Sequence, residues 1–186
     1  MDIVVANAGV PASGELISFS VEQIDRALDV NLRAAIVLTN RLLLGMLSRG
    51  TGHVVLIASM QGKLPAALLS IYCATKFGLR GFGLALHEEL RGTGVGVSVI
   101  NPTFIADAGM WAETGVPTHP LAGRVTPGQV AETVVQAVKD DRVEVDVAPL
   151  GARLAAAAPT LVGSFARRLG ATAVPAEGVQ RQLVKR

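Results

Sequence analysis

The sequence predicts an α/β fold, a doubly wound parallel sheet with helices on both faces. Two observations carry this. Four short β-branched runs, "DIVVA", "HVVLIAS", "VGVSVINP" and "VEVDVAP", read as buried strands. Segments with helical apolar spacing separate them, so strand and helix alternate along the chain. The length, 186 residues, allows one domain with a real core.

The first run predicts a strand over residues 2–6, ending in Asn7-Ala8-Gly9. Ser20 with Gln23 three positions later is a capping-box pattern, and helix is predicted from there to Gly50. A second strand is predicted over 53–58, then a loop with Gly62 and Pro65. Helix returns over 70–91 and stops before Gly92 and Gly94. A third strand spans 95–100, halted by Pro102. Residues 103–126 are rich in Gly, Pro and Thr and read as an irregular segment. Pro127 opens an amphipathic helix, "VEVDVAP" supplies a fourth strand, and 151–169 reads as helical. The division expected is 1–150 as the α/β domain and 151–186 as an Ala/Arg-rich helix and tail.

Half the residues are hydrophobic and 17% are charged, which excludes a disordered chain. No uninterrupted apolar run approaches the roughly eighteen residues of a membrane span, and no basic region precedes an apolar run at the N-terminus. The single cysteine, Cys73, excludes an internal disulfide and a cysteine-based metal site. A cytoplasmic location is expected. The net charge of +2 is uneven, with Arg153, Arg167, Arg168, Arg181, Lys185 and Arg186 set against Glu177 at the C-terminal end. The body is not a nucleic-acid binder on this balance. Pro159 interrupts the C-terminal apolar stretch, and membrane contact is not expected. His53, His87 and His119 show no ligand spacing and read as surface or strand-start residues, so no metal is expected.

The chemistry gathers in "SIYCATKFG". Tyr72 is the only tyrosine, and Lys76 lies one helical turn on, on the same face. A free phenol titrates near 10. An ammonium about 4 Å away at a dielectric near 20 favours the phenolate by roughly 4 kcal/mol. Tyr72 is therefore expected near physiological pH, able to pass a proton to or from a carbonyl or hydroxyl oxygen. A second donor is needed for that oxygen. Ser59 closes the second strand 13 residues upstream, and both hydroxyls then reach the C-terminal sheet edge, where open α/β folds hold ligands. Cys73 would point away and fill core.

"ANAGV" at a strand end, "DVNL", "VVLIAS" and "YCATK", in this order and spacing, resemble the short-chain dehydrogenase/reductase family over roughly residues 1–150. The resemblance implies a Rossmann-like sheet and hydride transfer between a secondary alcohol or ketone and NAD or NADP. It implies Tyr72 as general acid/base, Lys76 lowering its pKa and binding the nicotinamide ribose, and Ser59 orienting the substrate oxygen. Asn31 would kink its helix and hold a water linking Lys76 to solvent. Asn7, Ala8 and Gly9 would steady the sheet and line the adenosine side of the cofactor, and Pro102 and Ile105 would contact it. A homo-oligomer through the long helices is also implied.

The family's Gly-rich phosphate turn has no counterpart here. The sequence is thus expected to be an N-terminally truncated sheet of about four strands with an open apolar edge. Thr103 stands where the family has glycine, restricting the backbone there, and Asp107 where it has threonine. Phe104, Met110 and Trp111 suggest a lid over an apolar alcohol or ketone. Two other readings stay open: an inactive fragment that pairs with a partner chain through its sheet edge, and another nucleotide-binding α/β domain such as a methyltransferase.

Overall fold

The computed structural model describes residues 1–106, 109–112 and 123–157. Four strands, β1 (Ile3–Ala6), β2 (Gly52–Ile57), β3 (Val95–Pro102) and the later Glu144–Val147, form one parallel sheet in chain order. Ala6 pairs with Leu56, and Leu56 with Val99, so the strand ends are level. Helices α1 (Val21–Leu28), α2 (Ala34–Arg49) and α3 (Ser70–Glu89) precede β3. After it come β4 (Phe104–Ile105), the short α4 (Gly109–Ala112), β5 (Arg124–Val125) and α5 (Pro127–Lys139). Glu144–Val147 is then β6, followed by α6 (Leu150–Ala157).

Side-chain alternation along the strands builds two cores. Val4, Val54, Leu56, Val97 and Val99 face α2 and α3, meeting Ala35, Met46, Leu79 and Leu86. Val55, Ile57, Ile100 and Val147 face α5, meeting Ala137. The sheet is covered on both faces, as expected. The alternate residues of β1 are the exception, with Ile3 48% and Val5 45% exposed. β1 is an open edge strand.

Local signals act as read. Ser20 and Gln23 form a reciprocal capping box. Pro127 starts α5 behind a second box made by Thr126 and Gln129. The helix from residue 21 to 49 is continuous but contains a π-helical turn, Asp29–Arg33. By length and composition Val21–Arg49 would suffice to cross a bilayer, contrary to the reading of uninterrupted runs. Here it lies against the sheet, with Asn31, Ala35, Thr39 and Met46 buried.

His53 is a strand-start residue of β2, not a surface one. It is buried, and its Nε2 pairs with the Ser98 hydroxyl at 2.8 Å, which in turn donates to the Arg142 carbonyl. Burial lowers its pKa, Asp141 works to raise it, and His87 lowers it again. Cys73 is buried against Leu69, as expected. Asp107, His119 and all of 158–186 with its basic tail lie outside the described residues, as do the side chain of Trp111 and the helix beyond Ala157.

Candidate active site

Parallel strands put all their C-terminal ends on one edge. Asn7, Ala8 and Gly9 follow β1 there, Ser59 follows β2, and Pro102 ends β3. Helix α3 brings Tyr72 and Lys76 back over β2. Its approach is close: a Cβ at Gly83 would stand 2.4 Å from Val99 Cγ2 and 2.7 Å from Leu56 Cδ1. Only glycine allows the helix to sit this low.

Ser59 is extended, with φ −174° and ψ 159°, and caps the 3-10 turn Met60–Gly62. Its Oγ accepts from the Gln61 backbone N–H at 3.2 Å and donates to Gln61 Oε1 at 2.9 Å. The Pro102 carbonyl is a weaker second acceptor at 3.5 Å. Pro102 thus joins the site through its backbone.

Lys76 is 3% exposed, and its Nζ donates to the Ile57 carbonyl at 2.9 Å. The same ammonium lies 5.7 Å from the centroid of the Tyr72 ring. Burial lowers its pKa to about 8. Burial pushes Tyr72 up to about 12, a hydrogen bond from Ser59 working the other way and Cys73 adding slightly. This corrects the expectation of a phenol near physiological pH. Desolvation outweighs the lysine, whose ammonium is turned onto a backbone carbonyl. Tyr72 holds its proton at neutral pH.

Asn31 lies in the π-helical turn, a bulge that turns a side chain inward. It is 1% exposed, and its amide grips Val10 from both sides, accepting from the backbone N–H at 2.7 Å and donating to the carbonyl at 3.0 Å. It clamps the chain just after Asn7, Ala8 and Gly9. Leu32, in the same turn, packs on Gly78 of α3. Asn7 and Ala8 are exposed and Gly9 half-buried, so they form an accessible shelf at the strand end. Thr103 has no positive φ, and its backbone N–H donates to Val147, so a non-glycine residue fits there. Ile105 is half-buried, packs against the core facing α5 and pairs with Val125.

Sequence reasoning missed Gln61, although its place two residues after Ser59 in a short turn was a signal. It also missed a half-buried charge cluster beside the site. Lys63 Nζ meets Asp146 at 2.7 Å and Glu144 at 3.1 Å, Arg80 Nε meets Glu144 at 2.5 Å, and Asn101 donates to both acids. Burial works to raise the Glu144 pKa, but Arg80, Lys63 and Asn101 hold it down to about 2. Lys63 follows the Met60–Gly62 turn, so the cluster ties the Ser59 loop to β6. The groups lie far apart in sequence, which hid them. A cleft beside β6 is lined by Lys63, Arg142, Glu144 and Arg153, and neither Ser59 nor Tyr72 reaches it.

A family model described as short chain dehydrogenase matches residues 1–119. The chain is 41% identical to Ketoacyl reductase HetN of Nostoc sp. over 147 residues, 79% of this chain and 51% of that protein. The chain spans about half the length of the curated relatives it matches. In fold it resembles a short-chain dehydrogenase from Streptomyces avermitilis, with TM-score 0.71, 22% identity, 88% of this chain and 66% of that chain. It is also similar to the F189W actinorhodin polyketide ketoreductase with NADPH, with TM-score 0.69 and 28% identity over 81% of this chain and 67% of that one. The Ser59, Tyr72 and Lys76 arrangement and these likenesses agree, and the chain belongs to the short-chain dehydrogenase/reductase family.

Proposed function

We propose that this chain carries the proton-transfer and carbonyl-orienting residues of an NAD(P)-dependent oxidoreductase, with a ketone reduced to a secondary alcohol. The observation that carries this reading is the neutral Tyr72 phenol bonded to Ser59, with the Lys76 ammonium fixed beside its ring. The ketone oxygen accepts hydrogen bonds from the Ser59 and Tyr72 hydroxyls. As negative charge builds on it, the Tyr72 proton moves to that oxygen and the alcohol forms. Lys76 stabilises the phenolate left behind. Solvent then returns the proton.

The nicotinamide cofactor, when bound, supplies the hydride. The residues fit its ribose end. Lys76 commits one of its three donors to Ile57, leaving others for ribose hydroxyls beside the Tyr72 oxygen. Asn7, Ala8 and Gly9 supply a shelf, and Pro102 and Ile105 flank the far side. The Gly-rich turn for the pyrophosphate is not among these 186 residues. Leu68, Leu69, Cys73 and Phe104 form an apolar wall at Tyr72, which supports an apolar ketone. The printed names of the ketoacyl and polyketide ketoreductase relatives support the same class.

The test follows reduced-nicotinamide absorbance when the full chain meets NADPH or NADH and an apolar ketone. Turnover that vanishes in Tyr72→Phe with the fold intact supports the reading, and turnover retained in that variant sinks it. The exposed Ile3 and Val5 favour a second reading, a catalytically inactive chain that pairs with a partner through β1. No cofactor binding by calorimetry would favour it. The exposed Leu38, Leu44 and Leu47 of α2 support a homo-oligomer, checked by sedimentation velocity.

A further inference from the structure

The Ser59 hydroxyl has one proton, and the structure gives it an acceptor that is neither Tyr72 nor a substrate. Gln61 holds Ser59 twice, through its side-chain oxygen at 2.9 Å and its backbone N–H at 3.2 Å. One lone pair of Ser59 then takes the backbone N–H, and the proton goes to Gln61. In this arrangement the Ser59 hydroxyl donates to Gln61. It cannot at the same time donate to a phenolate. Among the described residues the other acceptor near the proton is the Pro102 carbonyl, at 3.5 Å, beyond good hydrogen-bond length.

We propose that Gln61 is a positioning residue that controls the Ser59 proton: it holds that proton while the site is empty, keeps Tyr72 in its acid form, and gives the proton up when a ketone oxygen arrives. The proposal deepens the carbonyl-reduction reading and rests on it for its purpose, but its geometry does not depend on turnover. The loop geometry supports the exchange. Gln61 is half-buried on a three-residue 3-10 turn, and the Ser59 side chain caps that turn. Release of the side-chain bond therefore leaves the backbone bond, and the Ser59 oxygen stays in place while its proton swings. A ketone oxygen then receives two donors, Ser59 and Tyr72, rather than one.

Tyr72 is the only tyrosine in the chain, so its ionisation is read directly by near-ultraviolet absorbance with no cofactor or substrate. The experiment compares the full chain with Gln61→Met, Gln61→Leu and Gln61→Glu. The phenolate fraction is followed with pH, and far-ultraviolet circular dichroism marks where each variant remains folded. Met and Leu remove the acceptor, so Ser59 turns its proton to the phenolate and the Tyr72 titration moves down by about one pH unit, a roughly tenfold rise in phenolate at fixed pH. Glu holds the proton more tightly and adds negative charge, so the titration moves up. In a Ser59→Ala background the Met and Leu effects disappear. Movement in the same direction for Met and Glu, no movement, or Met and Leu effects that persist without Ser59 each overturn the proposal. Loss of turnover in every form, with these shifts intact, would count against the reduction reading alone. Met keeps the length of Gln, which guards against a result caused by misfolding.

Discussion

Gly62 lies so close to α3 that a Cβ there would stand 2.8 Å from the Lys76 carbonyl oxygen. The obstacle is backbone, so it cannot rotate away. This contact sets the distance between the serine turn and the helix that carries the tyrosine. Gly62→Val should lower stability by about 1–3 kcal/mol, the usual cost of overpacking. It should also move the Tyr72 titration back toward 10, as the phenol gains water. A denaturant midpoint and the tyrosine absorbance check the two effects, and an unchanged pair would refute the contact.

The wild-type tyrosine should remain un-ionised past pH 10 and titrate near 12, because burial raises it. Tyr72→Phe should remove the whole absorbance step. Titration of the native chain near 10 would mean that the phenol is solvated.

Stability should depend on pH in two opposed windows. Lys76 is depressed to about 8 from 10.5, so its contribution is present above pH 10.5 and lost as pH falls through 8. Tyr72 is raised from 10.0 to about 12, so its contribution is present below pH 10 and lost as pH rises through 12. Stability from this pair should therefore peak near pH 10. Lys76→Met should flatten the lower limb and Tyr72→Phe the upper one, measured by chemical denaturation at fixed pH values. A limb that survives its own substitution assigns the effect elsewhere.

Asn31→Ala should leave both Val10 backbone groups without their partner and cost about 2 kcal/mol. The loosened segment begins at Asn7, so hydrogen exchange of Val10 and its neighbours should speed up while β3 stays protected. Uniform loss of protection would contradict a local clamp.

Ile3 and Val5 give β1 an apolar, unpaired edge. Val5→Lys should reduce self-association, because a charge on an edge strand opposes pairing. Light scattering against concentration is the measure. Scattering that does not change with the lysine would place association on another surface, such as α2.

The sequence by itself determined the strand–helix alternation, the cap at Ser20, the helix start at Pro127, and the spacing of Asn31, Ser59, Tyr72 and Lys76. These depend on local periodicity, backbone preference and fixed spacing, which a linear reading registers. What it could not determine was burial and direction. Tyr72 and Lys76 at four-residue spacing read as a phenolate pair, yet in the fold Lys76 is buried and Tyr72 half-buried, and the phenol keeps its proton. Only the π-turn shows that Asn31 is carried inward onto Val10. His53 became buried because Ser98, 45 residues away, offered it a partner. The Lys63–Glu144–Asp146 cluster likewise required residues from separate strands and turns to meet. Only the tertiary structure decides such matters, because desolvation and hydrogen-bond geometry depend on which distant groups share a space.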